Sequence, residues 1–411
     1  MTTAPTTAMS KAEYLALAEQ KYDDLQALAT QPTFYGYEKS FEAIWMDLGR
    51  QVLERNVGVV PADRRKKKMT TRFGQIHIAN NQAFSHHPNG FGISPYLQEK
   101  LVFLGQFEVY QQAAALVEML LGLSVGASQI DRLTHFYGGA IADDIDLAAA
   151  DAAADAAADA AADAAAVGVV YAQADGAMLL TDEGYKEVKL GRIFAATALQ
   201  TSAVEERGGH IASSVFVGHR GNAAAFGVKL ATQLAPYNGR GRDLVFISDG
   251  ALWLRQLMEK TCPQATLILD LYHAMEHIGQ AGKAGLGTGQ AAADWFDIQR
   301  KLLLDSKLDE VLTNLQQLKI APALRHSVGA YLQSNRDRMD YKSYRERGLL
   351  IGSGAIESAH RTVMQRRLKR AGQRWSNNGA QRVLTMRVCA MSNRWHLVRQ
   401  RIEPCNPLRQ E

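Results

Sequence analysis

The sequence predicts an α/β protein, with a sheet-bearing core from residue 167 onward and a mostly helical region before it. Three observations predict this. Apolar residues recur at three- and four-residue spacing through much of the first 138 residues. An Ala-Asp run interrupts the chain at 146–166. From Val167, short strand-like runs begin to alternate with helical ones, the pattern of an α/β sheet. At 411 residues, two or three domains are expected.

Residues 10–31 and 36–57 read as helices; in the second, Phe41, Ile44, Trp45, Leu48, Val52 and Leu53 form one apolar stripe. The basic run RRKKKMTTR (64–72) follows, then RFGQIHIA as a short strand. His86 and His87 fall in the loop HHPNGFGISP and lack a second ligand cluster nearby. Helices resume at Tyr96. In 107–138 the pattern is helix, break at Gly122, Ser124 as N-cap, second helix, which fits a helix-turn-helix. Helical packing with no role in DNA reading fits the same pattern. In DLAAADAAADAAADAAADAAA (146–166) Asp151, Asp155, Asp159 and Asp163 repeat every four residues. On a straight helix they stand about 6 Å apart (1.5 Å rise per residue) and do not converge on one ion. The run reads as a low-complexity connector.

Three strands then come in succession: VGVVYAQADGAMLL, EVKLGRIFAATAL and HIASSVFVGH. Helix NAAAFGVKLATQLAPY, strand DLVFISDGA, helix LWLRQLMEKTC and strand ATLILDLYHA follow. Such an order makes a sheet with an antiparallel start. Residues 274–345 read as helical, and a long basic helix is expected after Gly352. The expected organisation is an N-terminal region 1–92, a helix-turn-helix candidate 93–145, the connector 146–166, a core 167–278, a helical insertion 279–348 and a closing segment 349–402.

Composition narrows the function. Apolar residues make up 47% and charged residues 21%, as in soluble globular proteins. Cys262, Cys389 and Cys405 are too scattered for a disulfide framework or a CxxC metal site, which suits a reducing cytoplasm. No signal peptide and no transmembrane helix are expected. Net charge is only +4, but its distribution is uneven. Between Ser358 and Ile402 there is no Asp or Glu, while Arg361, Arg366, Arg367, Lys369, Arg370 and Arg374 crowd together. A cationic stretch of that purity points to a polyanion partner.

Three acids stand beside glycines at the start or end of elements: Asp175 in QADGAM, Asp249 closing the fourth strand, and Glu357 in the first turn after GSG. Each alone has an ordinary reading, as turn residue, helix cap or complement to a helix dipole. Together they suit divalent-cation chemistry, because Mg²⁺ takes hard carboxylate oxygens plus substrate phosphates.

The segments DGA at 175, SDGALWLRQLMEKTCPQATLILDLYHAMEHI (248–278) and IGSGAIESAHRTVMQRRLKRAGQRWSNNGAQRVLTMR (351–387) resemble bacterial insertion-sequence transposases of the Kra type. These are DDE enzymes with an RNase H-like core, related to Mutator-like transposases. The resemblance spans about residues 36–400 and is most specific in the last segment. It implies Asp175, Asp249 and Glu357 as the catalytic acids holding two Mg²⁺ ions, with Mn²⁺ as substitute. It also implies a helical insertion between the second and third acids. Relatives carry Cys-x-x-His after the second acid; here Asp270 and His273 take that position. Asp270 is therefore a rival second ligand, and otherwise forms with His273 a hydrogen-bonded pair ordering the site wall. Asp249 is preferred because the fourth strand, not the fifth, adjoins the central strand in this fold. The Ala-Asp run has no family counterpart, and no N-terminal cysteine pair offers a zinc module.

The implied activity is cleavage at element ends and strand transfer into target DNA. The partners are double-stranded DNA, as terminal inverted repeats and target, and further copies of the chain on that DNA; no membrane is involved. Arg361, Arg366, Arg367, Lys369, Arg370 and Arg374 would hold the phosphate backbone. Arg64, Arg65, Lys66, Lys67 and Lys68, with the helix-turn-helix candidate, would bind the terminal repeats. Trp375 is expected to anchor its helix rather than stack on a base. A nucleoid-associated, cytoplasmic location follows. The alternatives are a nuclease on the same fold that cuts without joining, and an inactive DNA-binding regulator.

Overall fold

The computed structural model describes residues 9–57, 66–79, 91–159, 168–201, 209–237 and 242–403. The chain divides into two compact units, Met1–Ile141 with Arg394–Glu411, and Ala142–Asn393.

The first unit opens with α1 (Lys11–Ala27), begun by a capping box in which Ser10 and Glu13 satisfy each other's backbone N–H groups. α2 (Phe34–Val57) lies against it, and Lys21 of α1 reaches Asp47 of α2 at 2.9 Å. The basic run from Lys66 onward is itself part of a strand. β1 (Lys66–Thr71) and β2 (Gly74–Ala79) form an antiparallel hairpin, so the expected strand reaches further back than RFGQIHIA. Alternation explains this: Met69, Ile76 and Ile78 turn inward on Leu53 and Val57 of α2 while Lys68 takes the other side. α3 (Pro95–Phe107), α4 (Tyr110–Leu121) and α5 (Ala127–Ala140) follow, and α17 (Trp395–Ile402) packs on α3. Its Trp395 ring meets Phe103 edge-on at 5.1 Å, and Arg399 lies 3.1 Å from Glu99. Gly122 ends α4 in the left-handed region, φ 61°. The next helix is capped by Gly126, not Ser124, with the Gln129 side chain accepting from the Gly126 N–H at 3.1 Å. His86 and His87 lie outside the described residues.

The second unit starts with α6 (Ala142–Asp159), where Ile145 and Ala149 are buried and Asp146 pairs with Lys229 at 2.6 Å. The first half of the Ala-Asp region is therefore packed helix. The core is a five-stranded mixed sheet of β3 (Gly168–Thr181), β4 (Gly184–Ala195), β7 (Val215–Arg220), β8 (Arg242–Ser248) and β9 (Thr266–Leu269). Its order is β7-β4-β3-β8-β9. β4 runs antiparallel to both neighbours; β3, β8 and β9 are mutually parallel. HIASSVFVGH is not one strand. β5 (Leu199–Thr201) and β6 (Gly209–Ile211) form a separate ribbon, and the small residues Ala212–Ser214, poor strand formers, separate β6 from β7.

Period-two alternation sends β3 and β8 side chains to opposite faces. Val170, Ala172, Ala174, Leu244 and Phe246 pack on α7 (Ala223–Leu234) and α8 (Leu252–Thr261). Tyr171, Val245 and Ile247 face a helical layer of α9 (Leu271–Leu286), α10 (Gln290–Leu304), α11 (Leu308–Gln317), α12 (Pro322–Ser334) and α13 (Tyr341–Glu346). The expected helical stretch between residues 274 and 345 is thus the cover of one sheet face.

No single long basic helix follows Gly352. α14 (Gly354–Ala359) widens into a π-helical turn at His360–Gln365 and tightens again as α15 (Arg366–Leu368). Such a turn leaves carbonyls without their usual partners. Here the buried Arg387 donates to the carbonyls of Thr362 and Val363. Gly372 turns the chain at φ 76°, Ser376 caps α16 (Asn377–Met391), and that helix lies on β7. Among the described residues, no helix is long and apolar enough to cross a membrane.

Candidate active site

β3 and β8 are parallel, with Gln173 opposite Ile247. Asp175 and Asp249 each stand two residues beyond this last paired position, Asp175 still within β3 and Asp249 just past the end of β8. Asp175 shares its face with Tyr171 and Gln173, the same face that carries Val245 and Ile247. One segment runs along that face and meets β3 at every second residue. The Leu350 N–H donates to the Tyr171 hydroxyl at 3.1 Å. The Gln173 side chain accepts from the Ile356 N–H at 2.9 Å and donates to the Gly352 carbonyl at 3.2 Å. His360 Nε2 stands 3.3 Å from Asp175 Oδ2.

Local chemistry fixes each acid. Gly250 takes φ 92°, and a Cβ there would lie 2.8 Å from Leu269, so the turn after Asp249 needs glycine. Asp249 Oδ1 accepts from the Ala251 N–H at 2.9 Å. The Tyr331 hydroxyl donates to the Asp249 carbonyl at 2.7 Å. Burial first, then the nearby charges of Asp249 and Asp270, push the Tyr331 phenol far above its usual range, so it stays a neutral donor. Glu357 is exposed in the first turn of α14, one helical turn before His360.

Among the described residues, no group of three or more His, Cys, Asp or Glu side chains is arranged to hold a metal ion. Asp175, Asp249 and Glu357 therefore do not form such a group. As a donor set the three carboxylates still match a hard cation.

Asp270 is 2% exposed and fully engaged. Its Oδ1 accepts from the N–H groups of Tyr272 (3.1 Å) and Ser353 (3.2 Å), and Oδ2 accepts from the Ser353 hydroxyl at 2.6 Å. It caps α9 and ties that helix to the entry of α14. The expected Asp270–His273 pair does not form. His273 lies 3.5 Å from Glu276, since the cap geometry turns Asp270 toward Ser353.

The cations divide. Arg361, Arg366, Lys369, Arg370 and Arg374 are exposed, with Arg374 3.7 Å from Asp182. Arg367 is not a surface cation. It is 1% exposed, with its guanidinium 5.1 Å from the centre of the Trp375 ring, because the turn after Leu368 folds Trp375 back over it. Trp375 is buried and donates from Nε1 to the Leu368 carbonyl at 2.9 Å, the anchoring role. On β1, Lys68 is exposed and Lys67 half-buried. Arg64, Arg65 and the Lys66 side chain lie outside the described residues.

Sequence reasoning missed His360 and Arg192. His360 is 8% exposed, and the contact with Asp175 lacks hydrogen-bond geometry, leaving both ring nitrogens without a hydrogen-bond partner. Its signal was the Glu-x-x-His spacing, which stacks two side chains on one helix face. Arg192, buried on β4 beside Gln173, left no signal, because an arginine within a strand reads as a solvent-facing residue.

The fold and site thus define a mixed α/β protein with one aspartate on its central strand, a second just past the end of the neighbouring parallel strand, and a helix carrying an exposed glutamate. No protein-family model matches the chain. It is similar to a "UPF0236 protein in vanSb 3'region" of Streptococcus gallolyticus, 24% identical over 305 residues, which cover 71% of this chain. The chain spans 62% of the length of that relative.

Proposed function

We propose that this chain is a DNA transposase of the DDE type, cutting at the ends of a mobile element and joining them to target DNA. One observation carries the reading: Asp175 on β3 and Asp249 just past the end of the adjacent parallel β8 each follow the last paired position by two residues, and the segment leading into the Glu357 helix is bonded to the same β3 face. The sheet order adds support. In order of sequence its strands lie 3-2-1-4-5 with only the second reversed, the arrangement of an RNase H-like core. The resemblance of the 351–387 segment to Kra-type transposases points the same way.

Asp175, Asp249 and Glu357 would hold Mg²⁺, or Mn²⁺ in its place. When bound, such ions activate the attacking oxygen and stabilise the leaving one in an in-line displacement. The chain's own residues do the positioning. Gln173 pins the start of α14 to β3, Tyr331 fixes the backbone at Asp249, and His360 stands against the outer oxygen of Asp175. Arg361, Arg366, Lys369, Arg370 and Arg374 offer phosphate contacts, which set register rather than read sequence. Double-stranded DNA is the substrate, acted on by more than one copy of the chain at the nucleoid.

The test is incubation of the full chain with Mg²⁺ and a plasmid carrying the element's terminal repeats. Nicking at the ends and joined products are expected, both lost in Asp249→Asn and both retained in Asp270→Asn per folded molecule. Nicks without joined products would reduce the reading to a nuclease. DNA binding without nicking would reduce it to a regulator.

A further inference from the structure

We propose that the cavity beside Gln173 is a pocket for one nucleotide unit of the DNA, with Arg192 holding its phosphate. This inference rests on the DNA-processing reading and names a binding site next to the acid pair.

The cavity measures about 990 Å³. Pockets for small organic ligands run to roughly 300–1,000 Å³, so a nucleotide fits. Arg192 lines it and is 8% exposed. Its Nε donates to the Ser214 hydroxyl and its Nη1 to the Ala355 carbonyl, each at 2.9 Å. Both acceptors are neutral. Among the described residues Nη2 makes no hydrogen bond and no carboxylate pairs with the guanidinium, which lies 5.7 Å and 5.3 Å from the ring centres of Phe194 and Phe216. Burial alone draws this group down to about 10, with no acid opposing the shift. A buried cation without a counter-charge is costly, and the cost is recovered when an anion arrives. The planar fork of a guanidinium matches phosphate oxygens bidentately.

The rest of the wall suits a nucleotide. Arg345, exposed at the rim, is a second cation. Ser213 and Thr362 add hydroxyls, and the exposed ring of Tyr272 adds flat apolar surface for a base. Gln173 also lines the cavity, and Asp175 follows it two residues on along the same strand face. That separation is about 7 Å along a strand, or roughly two nucleotide steps. The pocket therefore takes a nucleotide close to the bond to be cut.

The test measures binding of deoxyadenosine monophosphate and of a 12-nucleotide single strand to the full chain, in chelator and without cleavage. Both are expected to bind and to compete with each other. Arg192→Gln should weaken the mononucleotide at least tenfold, whereas Arg370→Ala, outside the cavity, should weaken only the 12-mer. Since Arg192→Gln removes two internal hydrogen bonds, Ser213→Glu serves as a second variant. It sets a carboxylate at an exposed lining position and should produce the same loss with an unchanged melting temperature. Mononucleotide binding that is absent from the wild type, or indifferent to both variants, would overturn the proposal. Mononucleotide binding without competition from the 12-mer would overturn its assignment to DNA. A chain that passes these measurements and fails to nick plasmid refutes the catalytic reading alone.

Discussion

Asp270 shows how far the surroundings of one carboxylate define its work. Three protein donors occupy it, at 2% exposure, whereas Asp249 has one backbone donor and stays half-buried. Replacing Asp270 by Ala strands the Ser353 hydroxyl and two N–H groups, at about 1–3 kcal/mol for each buried group left unpaired. A fall in melting temperature is expected, with nicking per folded molecule preserved. Asp175→Asn should do the opposite, holding the melting temperature and abolishing Mg²⁺-dependent nicking in the plasmid assay. Asp175 and Asp249 were visible in the sequence because glycine follows each, and Glu357 because it comes shortly after GSG. The engagement of Asp270 was not visible, since its partner Ser353 lies 83 residues away.

At the scale of elements, two features make separable predictions. The π-helical turn at His360–Gln365 depends on Arg387, which satisfies carbonyls that a regular helix would satisfy itself. Arg387→Met keeps the bulk and removes the donors. It should destabilise the second unit by about 1–3 kcal/mol in urea denaturation. In the first unit α1 and α2 are joined through Asp47, whose carboxyl is drawn from its ordinary 3.8 to about 2, chiefly by its hydrogen bond with Lys21. A depressed carboxyl contributes stability above the unfolded value and loses it as pH falls through the folded one. The α1–α2 contact should therefore loosen between about pH 4 and pH 2, seen as faster amide exchange in α1, and Asp47→Asn should remove that pH dependence. The helices carrying these features were legible from periodicity. The π turn was not, because nothing local in HRTVMQ distinguishes it; a residue 22 positions beyond its end supports it.

At the scale of the whole molecule, the uneven charge is the feature to test. Net charge is only +4, yet the exposed cations from Arg361 to Arg374 lie in a stretch without acids. If they contact phosphates, each lost contact should lower the slope of log affinity against log salt by about 0.9 on duplex DNA. Joint replacement of Arg361, Arg366, Lys369 and Arg370 by Ala should flatten that slope by up to four such steps, measured by anisotropy on a random duplex. Arg367 is left out of that set because it belongs to the core.

The sequence by itself determined most of the core strands, the helices covering them, the turn after Asp249 and the concentration of positive charge. These are local properties, written in hydrophobic period and in residues adjacent along the chain. Asp175, expected near a strand end, lies in the middle of β3. Only the tertiary structure decided which strand lies beside which, and so that Asp175 and Asp249 belong to neighbouring parallel segments. It also decided that Asp270 and Arg367 are sequestered, and that Arg192 lines a cavity with no carboxylate against it among the described residues. Each of these depends on contacts between residues far apart in the chain, whose energy exists only once the sheet and its helical layers have closed around them.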